Sequence, residues 1–92
     1  MRKLTPAQIE RALPEVPGWR RRAASLRRTF VFPDFVAAMK FTNAVARLAE
    51  RAGHHPDIDI RWNRVTLVLT THDAGGLTRR DFDLAARCSA LA

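Results

Sequence analysis

Between Pro33 and Gly53, the apolar residues Phe35, Ala38, Phe41, Val45, Leu48 and Ala52 recur at spacings of three and four. That rhythm predicts a helix of about five turns with one buried face. Pro33-Asp34 opens it, and Gly53 is placed to end it in a left-handed conformation. Lys40, Arg47 and Arg51 fall on the opposite side. Val36, Met39 and Asn43 widen the stripe into either a broad core contact or a face for a partner helix. A helix this long needs other elements to cover it, and the pattern on both sides of it supplies strands.

Trp19 to Arg22 and Ser25 to Phe32 read as two strands joined at Ala23-Ala24. In the second, Leu26, Arg28, Phe30 and Phe32 share one face, and Arg27, Thr29 and Val31 the other. Trp19 is expected in the core. After the helix, Ile58, Ile60 and Trp62 alternate with Asp57, Asp59 and Arg61. Asn63-Arg64 is the candidate tight turn, and Val65 to Thr71 the return strand. Val65, Leu67, Leu69 and Thr71 form its inner face. A short helix starts at Thr5-Pro6-Ala7-Gln8, with Thr5 as cap and Pro6 in first position, and stops at Pro14. A last helix follows Thr78, with Asp81 reaching back to its start and Phe82, Leu84, Ala85, Cys88 and Leu91 on its apolar side.

The chain's 92 residues make one domain, 1–92. At 47% hydrophobic and 27% charged it is globular, and no apolar run approaches the roughly 18 residues of a membrane span. Met1-Arg2-Lys3-Leu4-Thr5-Pro6 is basic without an apolar run, so no secretory leader is expected. Cys88 is the only cysteine, which excludes an intrachain disulfide and fits a cytoplasmic protein. The net charge of +7 could attract nucleic acid, but the arginines are spread over most elements. Arg20-Arg21-Arg22 and Arg27-Arg28 cluster, but without an aromatic or zinc-finger signature, so a nucleic-acid partner is not expected.

The chemistry concentrates in the three histidines. His54 and His55 stand where the long helix ends, and His72 follows the second strand of the hairpin. Because that hairpin is short, its outer ends meet, which brings His72 near Pro56-Asp57. Glu50 and His54, spaced i and i+4, share a helix face, and a carboxylate beside an imidazole favours its protonated form. Imidazoles hold or pass protons near neutrality. Three histidines could instead hold zinc, but adjacent residues rarely converge on one ion, and His-x-His and His-x-x-x-His pairs are absent. Nucleophilic catalysis is disfavoured, because Cys88 lies in a helix stripe and no Ser is near the histidines.

The series Glu50-x3-His54-His55-Pro56-x5-Trp62-x9-His72-x8-Asp81 resembles the signature of pterin-4a-carbinolamine dehydratases. Gly18-Trp19, Phe30-Val31-Phe32-Pro33-Asp34-Phe35, Asn63-Arg64-Val65 and Gly76-Leu77-Thr78 extend the likeness over nearly the whole chain. The resemblance implies an α+β fold, a four-stranded antiparallel sheet with three helices packed on one face. It implies loss of water from 4a-hydroxytetrahydrobiopterin to give quinonoid dihydropterin, in recycling of that cofactor, with no metal or organic cofactor. It implies a catalytic set of His54, His55, His72 and Glu50. His54 and His72 would be the acid/base groups, His55 would orient the pterin, and Glu50 would tune His54. His54, His55 and Pro56, with Thr71, His72, Asp73 and Ala74, would bind the substrate. Asp81 matches the family aspartate while also reading as a helix cap. A homodimer or homotetramer is expected, and some animal members bind a transcription factor. Ile58-Asp59-Ile60 departs from the aromatic residues of animal members. A non-catalytic partner-binding protein on this scaffold is the alternative reading.

Overall fold

The computed structural model describes residues 2–92; Met1, part of the basic opening stretch, lies outside the described residues. Helix α1 spans Pro6–Ala12 and opens on a reciprocal cap. Gln8 N–H donates to Thr5 Oγ1 at 3.2 Å, and Thr5 N–H donates to Gln8 Oε1 at 2.8 Å. Pro14 falls inside a 3₁₀ turn, Leu13–Glu15, that leads the chain away from the helix axis.

Strands β1 (Arg20–Arg22) and β2 (Ser25–Val31) pair antiparallel around Ala23-Ala24. Trp19 turns out of the strand into the core, where its Nε1–H donates to Ser89 Oγ at 2.8 Å. Its ring meets Phe30 edge-on at 6.1 Å.

Helix α2 runs Phe35–Ala52. Asp34 caps it, accepting from Ala37 N–H at 2.8 Å, and Gly53 ends it at φ 62° and ψ 31°. Its fully buried residues are Ala38, Phe41, Thr42, Val45 and Ala49. Phe35, expected on that face, is 48% exposed in the first turn, while Thr42 is inside. The Thr42 hydroxyl is satisfied by Ala38 O at 2.8 Å, so its burial leaves no orphan donor.

Strands β3 (Asp57–Arg61) and β4 (Arg64–Leu69) form the second hairpin. Arg61 pairs with Arg64, so the turn residues are Trp62-Asn63, one position earlier than the sequence suggests. Trp62 therefore leaves the Ile58/Ile60 face; it sits at φ 50° and is 66% exposed. Asn63 settles the register, donating from Nδ2 to Phe32 O at 2.8 Å while its own carbonyl accepts from Phe32 N–H at 2.9 Å.

After Leu69 the chain leaves the ladder. Thr71 and Gly76 exchange backbone bonds of 3.2 and 3.3 Å, closing a loop over the 3₁₀ turn His72–Ala74. Helix α3, Arg79–Leu91, follows.

The sheet order is β1-β2-β4-β3, antiparallel throughout. Leu26, Phe30, Val65, Leu67 and Leu69 line one face and are buried with Ile9 and Ala12 of α1, Ala38, Phe41 and Val45 of α2, and Phe82, Ala85 and Cys88 of α3. The other face is open: Arg27, Thr29 and Val31 are exposed, and Arg20 stands directly opposite Arg27. The fold is thus the expected α+β arrangement of four strands and three helices. Among the described residues no helix is long and apolar enough to cross a membrane.

Candidate active site

Three element ends meet beside the sheet. The first is the end of α2. Gly53 reverses the backbone, and His54 N–H still donates to Ala49 O at 3.2 Å, which drives the His54 ring inward. His55 then points outward, and Pro56 keeps it out of helical geometry. The second is the tail of β4, carrying Thr70, Thr71 and His72. The third is the start of α3, where Thr78 caps and Asp81 occupies the first turn. Arg80 ties the first to the third: its Nη2 donates to Gly53 O at 2.8 Å and approaches Ala52 O at 3.4 Å.

Asp81 is fully buried, and each of its carboxylate oxygens is occupied. Oδ1 lies 2.6 Å from His54 Nε2. Oδ2 accepts from the Thr71 hydroxyl at 2.8 Å and from Thr78 N–H at 2.9 Å. The Asp81 side chain is thus at once the helix cap foreseen in the sequence and the partner of His54. The positive end of α3 adds a favourable field for its charge. A carboxylate only accepts, so the ring nitrogen facing it carries the proton, and Nδ1 is the His54 nitrogen left for chemistry.

Glu50 does not pair with His54. Its Oε2 instead meets His55 Nε2 at 2.7 Å, with both side chains exposed. The left-handed residue at Gly53 is the reason: it ends the helical spacing one residue before His54, swings that ring under the helix and lays His55 against Glu50.

A cleft of about 240 Å³ is lined by Gly53, His54, His55, Thr70, Thr71, His72, Asp73 and Arg80. The structure therefore gathers all three histidines, with Thr71 and Asp73, at one mouth. Pro56, Ala74 and Glu50 stand outside the lining. Thr71 turns its hydroxyl inward to Asp81. Gly53 was foreseen only as the end of the helix, and no local pattern marks Thr70 or Arg80 as part of the cleft. Cys88 is remote from this chemistry; burial pushes its thiol up to about 11. Among the described residues no group of three or more His, Cys, Asp or Glu is arranged to hold a metal ion.

Positioned imidazoles, one backed by a buried carboxylate, suit general acid/base catalysis on a small polar molecule. Comparison with known proteins gives that chemistry a family. The family model described as pterin 4 alpha carbinolamine dehydratase matches residues 2–91. A relative from Acidobacterium capsulatum is 62% identical over 99% of each chain, and one from Thermomicrobium roseum is 55% identical over 100% of this chain and 99% of its own. Both carry a provisional pterin-4-alpha-carbinolamine dehydratase name. Among solved structures, the transcriptional coactivator/pterin dehydratase of Brucella melitensis superimposes with a TM-score of 0.94, at 34% identity over 98% of each chain. A pterin dehydratase-like protein identified as a RuBisCO assembly factor in the alpha-carboxysome reaches 0.71, at 28% identity over 85% of this chain and 93% of its own. The chain belongs to the pterin-4a-carbinolamine dehydratase family, a family of lyases.

Proposed function

We propose that this protein removes water from a 4a-hydroxytetrahydropterin at the histidine cleft, with His54 and His72 as the acid/base groups. The observation that carries the reading is the 2.6 Å His54–Asp81 pair at a cleft that also holds His55 and His72. The C4a hydroxyl leaves as water and takes a proton from an acid. The adjacent ring nitrogen gives a proton to a base, and the electron pair it releases forms the new C=N bond. Protons and charge balance, and no redox partner is needed.

His54 exchanges its proton at Nδ1, because Nε2 faces Asp81. The carboxylate supports the imidazolium when the ring is charged, as an orienting acid does for any catalytic histidine. His72, exposed on the far side of the mouth, serves as the complementary group. His55, held by Glu50, orients the flat ring. Each positioned acid or base contributes roughly 10²–10⁴-fold. In this reading the protein works in the cytoplasm, in tetrahydrobiopterin recycling, and self-associates as a dimer or tetramer.

The test is a dehydration assay with freshly generated 4a-hydroxytetrahydrobiopterin. His54→Ala and His72→Ala should each lower turnover by about 10²-fold or more while circular dichroism stays native. Normal turnover in both variants removes the proposal.

A second reading, a partner-binding protein on the same scaffold, draws on the exposed Val36 and Phe35 at the start of α2. It predicts a complex abolished by Val36→Glu and indifferent to the histidine variants.

A further inference from the structure

Behind His54 lies a polar chain that the proposed reaction does not itself require. Thr71, Thr78 and Asp81 are all buried, and their hydroxyl and carboxylate groups touch one another inside an otherwise apolar core. Thr71 Oγ1 lies 2.8 Å from Asp81 Oδ2 and 2.9 Å from Thr78 Oγ1.

Counting protons fixes the direction of this chain. A threonine hydroxyl has one proton. Thr71 gives its proton to Asp81, so the contact between the two hydroxyls must be made by the proton of Thr78. The order is Thr78 to Thr71 to Asp81. Oδ2 thereby receives two donors, the Thr71 hydroxyl and Thr78 N–H, which occupy the lone pairs a carboxyl proton would need on that oxygen. An ionised Asp81 can only accept at Oδ1. A protonated Asp81 would instead donate to His54 Nε2 and force the ring proton onto Nδ1.

We infer that Thr71 and Thr78 are positioning residues, whose one-way hydroxyl chain keeps Asp81 an acceptor and so locks His54 in the tautomer protonated on Nε2, with the Nδ1 lone pair left for the cleft. Neither hydroxyl touches substrate in this scheme. The catalytic consequence rests on the function proposed above; the tautomer does not.

The experiment is long-range ¹H–¹⁵N NMR of the His54 ring, paired with steady-state kinetics, on wild type, Thr71→Val, Thr71→Ser and Thr78→Val. Wild type should show the Nε2-protonated pattern when the ring is neutral. Thr71→Val should lose the unique pattern and lower kcat about tenfold with KM little changed, the scale of losing a group that orients a ligating or catalytic histidine. Thr71→Ser should restore both. Thr78→Val leaves the Thr71 proton on Asp81, so its effect on the ring pattern should be the smaller one. If Thr71→Val does not fold, Thr71→Ala supplies the same ring measurement. A Thr71 variant without the hydroxyl that keeps the Nε2-protonated pattern overturns the inference, as does a larger ring effect from Thr78→Val. Wild type without dehydratase activity would sink the proposed function, while the ring spectra would still decide the hydroxyl chain.

Discussion

His54 Nε2 and Asp81 Oδ1 are 2.6 Å apart, although 27 positions separate the two residues in the chain. The pair joins the end of α2 to the start of α3, and it fastens the ring of a cleft histidine to a fully buried carboxylate. Asp81→Asn keeps the size but replaces an acceptor with an amide that can also donate. We expect kcat to fall by about 10²-fold or more with KM little changed. Asp81→Ala should in addition cost about 3–5 kcal/mol, because it breaks a buried pair on one side only. Kinetics and urea melts separate the two effects.

Gly53 sets the direction of His54. A Cβ there meets nothing closer than 4.0 Å, at the Arg80 guanidinium, so space is not the obstacle. The backbone is, at φ 62°. Gly53→Ala should cost about 1–2 kcal/mol in a thermal or urea melt. Its loss of activity should exceed what that destabilisation explains, because His54 is the next residue.

Cys88 is fully buried, and burial pushes its thiol up to about 11. Only about one thiol in a thousand is ionised at pH 8 with such a value. Iodoacetamide should therefore label the folded protein at least a hundredfold slower than an exposed thiol. Labelling through a urea series should follow unfolding measured by circular dichroism, and fast labelling of the folded form would contradict the packing described here.

Glu15 is held below the usual carboxylate range, first by its hydrogen bond from Arg79. Folding therefore lowers the proton affinity of this group. The pair contributes stability above the unfolded value of about 4.3, and the contribution is lost as pH falls through the lower folded value. Glu15→Gln should lower the melting temperature slightly at pH 7, with the difference from wild type vanishing once the pH is below the lowered folded value. The groups are half exposed, so the effect is small and salt-sensitive.

What could be read from the sequence was local. Thr5 and Gln8, Asp34, Gly53 and the alternation of Val65, Leu67 and Leu69 each act over a few residues, and the structure keeps each as expected. Misplaced residues lay where a single backbone angle decides. The turn slipped by one because Trp62, and not Asn63, takes positive φ. Glu50 was assigned to the wrong histidine because the helical spacing was carried one residue past Gly53. The partner of His54 was out of reach for another reason. The Asp81 cap is visible from Thr78, but its second contact depends on how α2 and α3 pack. The inward turn of the Thr71 hydroxyl likewise follows from the tertiary bond to Asp81 and not from strand alternation alone.

The bare side of the sheet also has a cost. Arg20 on the edge strand β1 faces Arg27 on its neighbour β2, with no carboxylate bridging either among the described residues, on a chain of net charge +7. Two guanidinium groups so placed repel. At low ionic strength the β1–β2 ribbon should be the first part of the sheet to loosen, and counterions at a few hundred millimolar, where the Debye length falls to a few ångströms, should tighten it.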